Sequence, residues 1–132
     1  MKLSYLIDLV SIKKNGKQIA DFKYRRYNYG PFDDSIYSDL TNLVNAKVIT
    51  QASEYTPMGE EFITYKLNNE AFESDRLSDE EKEVIDEVLN ELNGLGAKTL
   101  TEIAYQTKPM KALKATIGGN EHLNAKLDLK LK

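Results

Sequence analysis

The chain lacks several residue types and patterns on which common functions depend. None of its 132 residues is a cysteine, which excludes disulfides, thiolate nucleophiles and cysteine-ligated metal. The single histidine, His122, lies in a glycine-rich stretch without a nucleophile pattern around it, whereas acid–base catalysis requires a positioned base and an orienting partner. No run approaches the ~20 apolar residues of a membrane-spanning helix. We therefore expect neither an enzyme nor a membrane protein.

Signals for export, phosphate binding and metal binding are also missing. The apolar stretch at the start is interrupted by Asp8 and is not followed by a small-residue cleavage site, so a cytoplasmic protein is expected. Gly118-Gly119 lacks the lysine and the serine or threonine of a phosphate-binding loop. The acidic run 79–83 opens a predicted helix, where acids complement the helix dipole, so we expect a solvated face rather than a metal site. No metal and no cofactor are predicted.

What is present is the composition of an ordinary folded domain. The length fits one domain over residues 1–132, and 41% hydrophobic residues are enough for a core. The net charge of -3 and the pI of about 5.3 are unlike those of domains that live on nucleic acid, which often have a pI above about 9. The overall charge therefore makes nucleic acid an unlikely partner.

The first elements follow from periodicity and turn residues. Apolar residues at helical spacing from Leu3 to Val10 predict an opening helix, which Asn15-Gly16 ends. The stretch 22–29, FKYRRYNY, is typical of a half-buried strand. Gly30 and Pro31 should form the turn that stops this strand, because proline cannot donate a hydrogen bond to a strand ladder.

A second helix and a hairpin are predicted next. Asp33 and Asp34 are placed to cap the helix, whose buried face is carried by Ile36, Leu40, Leu43 and Val44. Residues 48–50 and 61–67 have strand character and flank a turn with Pro57 and Gly59, which predicts a β-hairpin with a long loop. The order helix, strand, helix, hairpin resembles a winged-helix domain. We expect the 22–29 strand and this hairpin to form one small antiparallel sheet.

The second half is predicted to be helical. Ser78 and Glu81 have the spacing of a capping box at the start of a long helix, and a shorter helix from Thr99 should end before Pro109. Alternating leucines suggest a last strand in the tail, residues 115–132: Leu127, Leu129 and Leu131. The predicted fold class is α+β and mainly α-helical, with the helix, strand, helix and hairpin in residues 1–70 and a helical half in residues 77–110.

The most informative stretch for function combines tyrosine and arginine on the predicted strand. Both residue types are enriched at protein interfaces and in binding hot spots. Side chains alternate across a strand, so Tyr24 should lie on the opposite face from Arg25 and Tyr27. The alternative, that tyrosines fill the core and arginines are merely solvated, stays open. The candidate partner-binding residues are Tyr24, Arg25, Arg26, Tyr27 and Tyr29.

An ordered set of segments resembles the Panacea, or SocA-like, antitoxin domain. The first helix carries Tyr5 and Asp8, and the strand leads into Tyr29-Gly30-Pro31. The helix start LSDEEKEVIDEVLNEL follows, with Leu77, Ser78 and Glu81, and then TLTEIAYQTKPM with Pro109 and Met110. The likeness extends from about Leu3 to Met110. Many relatives carry a histidine before that proline, where this chain has Ala104-Tyr105-Gln106.

This resemblance implies a role in toxin–antitoxin systems, often on phages and other mobile elements. Domains of this kind neutralise a toxin encoded beside them by direct binding, and one branch delivers its toxin to an ATP-dependent protease as an adaptor. The partner implied for this chain is therefore a cognate toxin, with a protease as a second partner in the adaptor case.

The alternative function is a winged-helix regulator that binds the DNA of its own operon. Its recognition helix would follow Pro31 and would carry Asp33, Asp34 and Asp39, with no basic residue before Lys47. Phosphate contacts dominate affinity for nucleic acid, so such a helix would be repelled.

Overall fold

The computed structural model describes residues 1–68 and 77–130. Its elements are α1 (Lys2–Asn15), β1 (Arg25–Tyr27), β2 (Gly30–Phe32), α2 (Ser35–Asn45), β3 (Ile49–Tyr55), β4 (Glu61–Leu67), α3 (Asp79–Leu92), α4 (Ala97–Tyr105) and α5 (Lys108–Ala112). The predicted α+β, mainly helical class is confirmed. None of the helices in the two described ranges is both long and apolar enough to cross a membrane.

The chain divides into two compact units. Among the described residues, the first combines 1–33 with 77–130, and the second spans 34–68. The first unit has a buried cluster built from α1, the β1 region, α4, α5 and the tail: Tyr5, Leu6, Tyr24, Ala104, Tyr105, Met110 and Leu127. Val84 and Val88 of α3 are also buried. The first unit therefore has a core of its own.

Two helix ends match the predictions made for them. Gly16 has φ 77°, and its N–H donates to the carbonyl oxygen of Ile12, the left-handed cap that glycine favours. The Glu81 N–H donates to Ser78 Oγ at 3.1 Å, and the Ser78 N–H donates to Glu81 Oε1 at 3.0 Å, which completes the capping box. Asp34 occupies the position before α2, but the predicted capping bond from its side chain is not formed.

The strand predicted over 22–29 is shorter than expected and has a different partner. Within residues 22–29 only β1 is a strand, and it pairs with β2 in an antiparallel ladder that places Arg26 opposite Pro31. β1 ends before Gly30 and Pro31, but these two residues begin β2 and do not form the predicted turn, which lies at Asn28 and Tyr29. Both the N–H and the C=O of Arg26 bond to the tail, at Ala125 and Asn124, so the Arg26–Pro31 pair needs no hydrogen bond from the proline.

The predicted hairpin is present in the second unit. β3 and β4 pair antiparallel from Ile49 opposite Leu67 to Tyr55 opposite Glu61. The expectation of one sheet shared with the 22–29 strand was wrong, because the described strands pair in two separate two-stranded sheets. No described residue of this unit is buried. The winged-helix geometry stays a prediction.

The tail follows the free edge of β1. The Leu127 N–H donates to the carbonyl oxygen of Tyr24 at 3.0 Å, and Arg25 forms an antiparallel bridge with Lys126. The predicted last strand is thus reduced to a single bridge within the described part of the tail, and Leu131 lies outside the described residues. This pairing gives β1 a neighbour on both edges.

A buried carboxylate ties α1 to the chain that follows it. Asp8 is 1% exposed, and its Oδ1 accepts hydrogen bonds from the N–H groups of Ile19 and Ala20 at 3.0 and 3.1 Å. The Tyr24 hydroxyl donates to Asp8 Oδ2 at 2.7 Å and lies 2.8 Å from Ser4 Oγ. Buried polar groups must be paired in this way, because an unpaired one costs stability. Asp8 therefore fixes the irregular segment before β1.

Burial dominates the electrostatics of this network. It raises the pKa of Asp8 above its ordinary value of 3.8, although the hydrogen bonds from Tyr24, Ala20 and Ile19 oppose the rise. Burial also raises the pKa of Tyr24, and the hydrogen bond to Asp8 adds to that rise. Both groups thus favour the protonated form more in the folded chain than in the unfolded chain.

The raised pKa of Asp8 predicts a pH dependence of stability. A carboxyl group with a raised folded-state pKa contributes stability below its ordinary pKa, and the contribution is lost as the pH rises through the folded-state pKa. We expect the unfolding free energy of the wild type, measured relative to that of Asp8→Asn, to fall as the pH rises above about 4. Urea unfolding at a series of pH values measures this difference.

Asp128→Asn, which changes an exposed carboxylate of the same unit, is the control for the general effect of removing one negative charge. A difference that rises with pH for Asp8→Asn would contradict the assignment, since it would mean that hydrogen bonding outweighs burial.

Candidate partner-binding surface

The five residues predicted to bind a partner separate into two groups in the structure. Tyr24 and Arg26 are buried, with 2% and 0% of their surface exposed. Arg25 is exposed, as are Tyr27 at 43% and Tyr29 at 66%. The predicted alternation, with Tyr24 on the opposite face from Arg25 and Tyr27, is confirmed. The partner-binding role of the set stays a prediction.

The Arg26 guanidinium is held by groups from several parts of the first unit. Its Nη2 donates to the carbonyl oxygen of Thr116 at 2.8 Å and lies 3.5 Å from Glu121 Oε2. Its Nη1 donates to the carbonyl oxygen of Tyr27 and to the Tyr105 hydroxyl. Its Nε is buried without a hydrogen-bond partner among the described residues. The fork of the side chain thus joins β1, α4 and the tail.

Glu121 completes the charge balance from the tail. Its carboxylate accepts hydrogen bonds from the Thr116 hydroxyl at 3.0 and 3.1 Å and forms an ion pair with the Arg26 guanidinium. Hydrogen bonding to its own main chain and to Thr116 lowers the pKa of Glu121, and the charge of Arg26 lowers it further. Glu121 therefore stays ionised beside Arg26 at neutral pH.

Tyr105 carries the contact with α4. Its hydroxyl donates to the carbonyl oxygen of Asn28 at 2.9 Å, and the Arg26 guanidinium carbon lies 5.6 Å from its ring centroid. Burial raises the pKa of Tyr105, while the charge of Arg26 opposes that rise. Tyr105 therefore holds the turn at Asn28 from α4.

Gly30 and Pro31 follow the turn at Asn28 and Tyr29 and begin β2. Gly30 has φ 131°, a conformation that side chains rarely adopt. A Cβ atom there would lie 3.4 Å from Lys2 Cε and 3.9 Å from Tyr105 Cε2. Pro31 is buried in β2. Glycine at position 30 therefore fits the main chain where it passes Lys2 and Tyr105.

The exposed residues form what we call the β1 surface, defined as Arg25, Tyr27 and Tyr29. The Arg25 Nη1 donates to the carbonyl oxygen of Asn124 at 3.0 Å. The Tyr27 ring packs against Phe32 with centroids 5.1 Å apart. Two of the three side chains are therefore oriented by neighbours, while the rings of Tyr27 and Tyr29 remain accessible to a partner.

Two further features of the described residues concern chemistry, namely the grouping of possible metal ligands and the position of the single histidine. Within residues 1–68 and 77–130, no three or more histidine, aspartate and glutamate side chains are grouped so that they could hold a metal ion. His122 is exposed in the tail at φ 53°. The exposed side chains of the β1 surface are aromatic and basic.

The burial of Arg26 predicts a large difference between two adjacent arginines. Arg26→Met keeps an unbranched stem but leaves buried acceptors on Tyr27, Thr116 and Tyr105 without their donor, so we expect a loss of about 3 kcal/mol in unfolding free energy. Arg25→Met, the matched control, removes one exposed hydrogen bond and should cost less than about 1 kcal/mol. Urea unfolding checks both, and equal losses would contradict the structural role of Arg26.

One comparison with known proteins gave a match, and it covers most of the chain. The family model of the antitoxin SocA-like, Panacea domain matches residues 1–109. The match includes the β1 surface and α1 to α4, and it leaves the tail outside. No curated protein and no solved structure gave a significant match. The family implies a role in toxin–antitoxin systems and, in general terms, a toxin as partner. The chain belongs to the antitoxin SocA-like, Panacea domain family.

Proposed function

We propose that this chain is an antitoxin that neutralises a cognate toxin protein by direct binding, through occlusion and without catalysis of its own. The observation that carries the proposal is the family match over residues 1–109 of 132. The exposed tyrosines supply a surface of suitable chemistry. A toxin encoded beside this chain, as on a phage or another mobile element, is the partner we expect.

The β1 surface is the contact site that the geometry favours. Tyrosine and arginine contribute large, rigid contact areas at interfaces, and their rings and forks combine apolar and hydrogen-bonding contacts. The strand that presents them is paired on both edges and is anchored below by the buried Tyr24 and Arg26. A partner would therefore meet a surface that is already ordered, which lowers the entropy cost of binding.

Buried Tyr24 and Arg26 act differently from the three exposed residues in this proposal. Their side chains position β1 and do not touch the toxin. Each of the five predicted residues therefore has one of two roles, contact with the toxin or support of β1. Mutations can distinguish the two roles.

DNA binding is less well supported. α2 would be the recognition helix, and no lysine or arginine lies between Asp34 and Ala46, while Asp39 adds a negative charge. A gel-shift titration with the upstream DNA at low and moderate salt separates a regulator from an antitoxin, because phosphate contacts weaken steeply with salt. An adaptor differs from an occluder in a different measurement: it shortens the half-life of the toxin in cells, whereas an occluder does not.

Variants of the β1 surface test the proposal in cells and in solution. Arg25→Glu combined with Tyr29→Ala should weaken the complex with the co-expressed neighbouring toxin by at least about 2 kcal/mol and should abolish rescue of growth. Tyr55→Ala, which removes an equally exposed tyrosine from β3, is the matched control and should keep both. Calorimetric titration of the purified pair gives the affinities.

Failure of the wild-type chain to bind the neighbouring gene product or to rescue growth would overturn the antitoxin proposal. A complex whose affinity is unchanged by the double variant would move the contact site away from the β1 surface.

A further inference from the structure

The first unit contains a groove whose floor is formed by Tyr24. The residues of the β1 surface do not line it. Its volume is about 540 Å³. One wall is the segment between α1 and β1, and the other is the end of the described tail. Its lining combines two kinds of side chain: apolar Ile12, Phe22, Leu127 and Leu129, and basic Lys17, Lys23, Lys126 and Lys130.

The first wall is held by side chains that leave it little freedom. Ser11 Oγ donates to the carbonyl oxygen of Lys17 at 2.7 Å. The Gln18 amide donates to the carbonyl oxygens of Ala20 and Phe22 at 2.8 and 2.7 Å. Asp8 binds this segment from below through two main-chain N–H groups. The wall is therefore ordered before any ligand arrives.

The second wall is the tail itself. It is fixed beside β1 by the Leu127 N–H bond to the Tyr24 carbonyl oxygen and by the bridge between Arg25 and Lys126. Leu127 is buried and Leu129 half-buried, so these two apolar side chains of the tail face inward. This wall lies outside the residues that the family model matches, 1–109.

The charge of the groove is unlike that of the chain. Four lysines and one aspartate, Asp128, line it, whereas the whole chain has a net charge of -3. Asp128 Oδ1 also accepts a hydrogen bond from the Lys130 N–H. Local positive charge over an apolar floor attracts a ligand that is both acidic and apolar, and it disfavours a basic one.

We propose that this groove binds an acidic segment of the toxin whose apolar side chains enter between the two walls, and that the tail wall selects the toxin. The inference rests on the proposed function and deepens it. The floor would take leucine or phenylalanine side chains, and the lysines would pair with neighbouring carboxylates. Selectivity falls to the tail because the other wall and the floor lie within the segment shared with the family.

The first test uses the full chain and a defined probe. A short peptide in which glutamate alternates with leucine and phenylalanine is titrated into the isotope-labelled protein, and amide shifts are followed by NMR. Shifts confined to residues 17–24 and 126–130 are expected, and the same peptide with glutamine for glutamate should bind at least about tenfold more weakly. Shifts outside these segments only, or equal binding of the two peptides, would overturn the proposal.

Charge reversal at the tail wall provides the second test. Lys126→Glu with Lys130→Glu should weaken capture of the co-expressed toxin at least about tenfold. Lys98→Glu with Lys111→Glu changes the net charge by the same amount at exposed positions outside the groove and should leave capture unchanged. Amide spectra of both variants confirm that the fold is kept.

These experiments distinguish binding of a toxin segment in the groove from the antitoxin function itself. If the groove variant captures the toxin as well as the wild type does, the groove proposal is wrong and the antitoxin proposal stands. If the wild-type chain captures no toxin, the antitoxin proposal is wrong, and the assignment of the groove to a toxin segment falls with it.

Discussion

The buried Arg26 guanidinium is the contact on which the arrangement of the first unit depends. A charge without solvent is costly, so it must be surrounded by acceptors, and here they come from β1, α4 and the tail. Three segments that are distant in sequence are thereby held at one point. The main chain of Arg26 also forms hydrogen bonds with the tail, so its pairing with Pro31 requires no hydrogen bond from the proline. The exposed Tyr27 and Tyr29 come shortly after this anchored residue in the chain.

A second polar centre complements the first. Asp8 and the Tyr24 hydroxyl are buried together beneath the segment that joins α1 to β1. Arg26 fixes the end of β1 that leads to the exposed turn, and Asp8 fixes the segment that leads into β1. The proposed contact surface and the lysine-lined groove lie at these two ends, so both proposed binding sites rest on buried hydrogen bonds rather than on loops that must order on binding.

The sequence predicted those features that arise from local chemistry. The capping box at Ser78 and the glycine cap at Gly16 depend on a few neighbouring residues, and both are present. Alternation correctly separated Tyr24 from Arg25. It could not show that the buried Arg26 guanidinium is paired, because all of its acceptors except Tyr27 lie 79 to 95 residues away in the chain. The groove was missed for the same reason, since its two walls come from opposite ends of the sequence.

Hydrogen–deuterium exchange of the full chain, alone and in complex with the toxin that co-purifies with it, shows whether the chain binds its partner through a preformed surface. Direct binding through a preformed surface predicts slow exchange at β1 in the free chain, because both of its edges are paired, and additional protection in the complex at residues 25–29 and at both groove walls. Fast exchange at β1 before binding would mean that the surface is not preformed, and protection confined to other segments would mean that the toxin binds elsewhere.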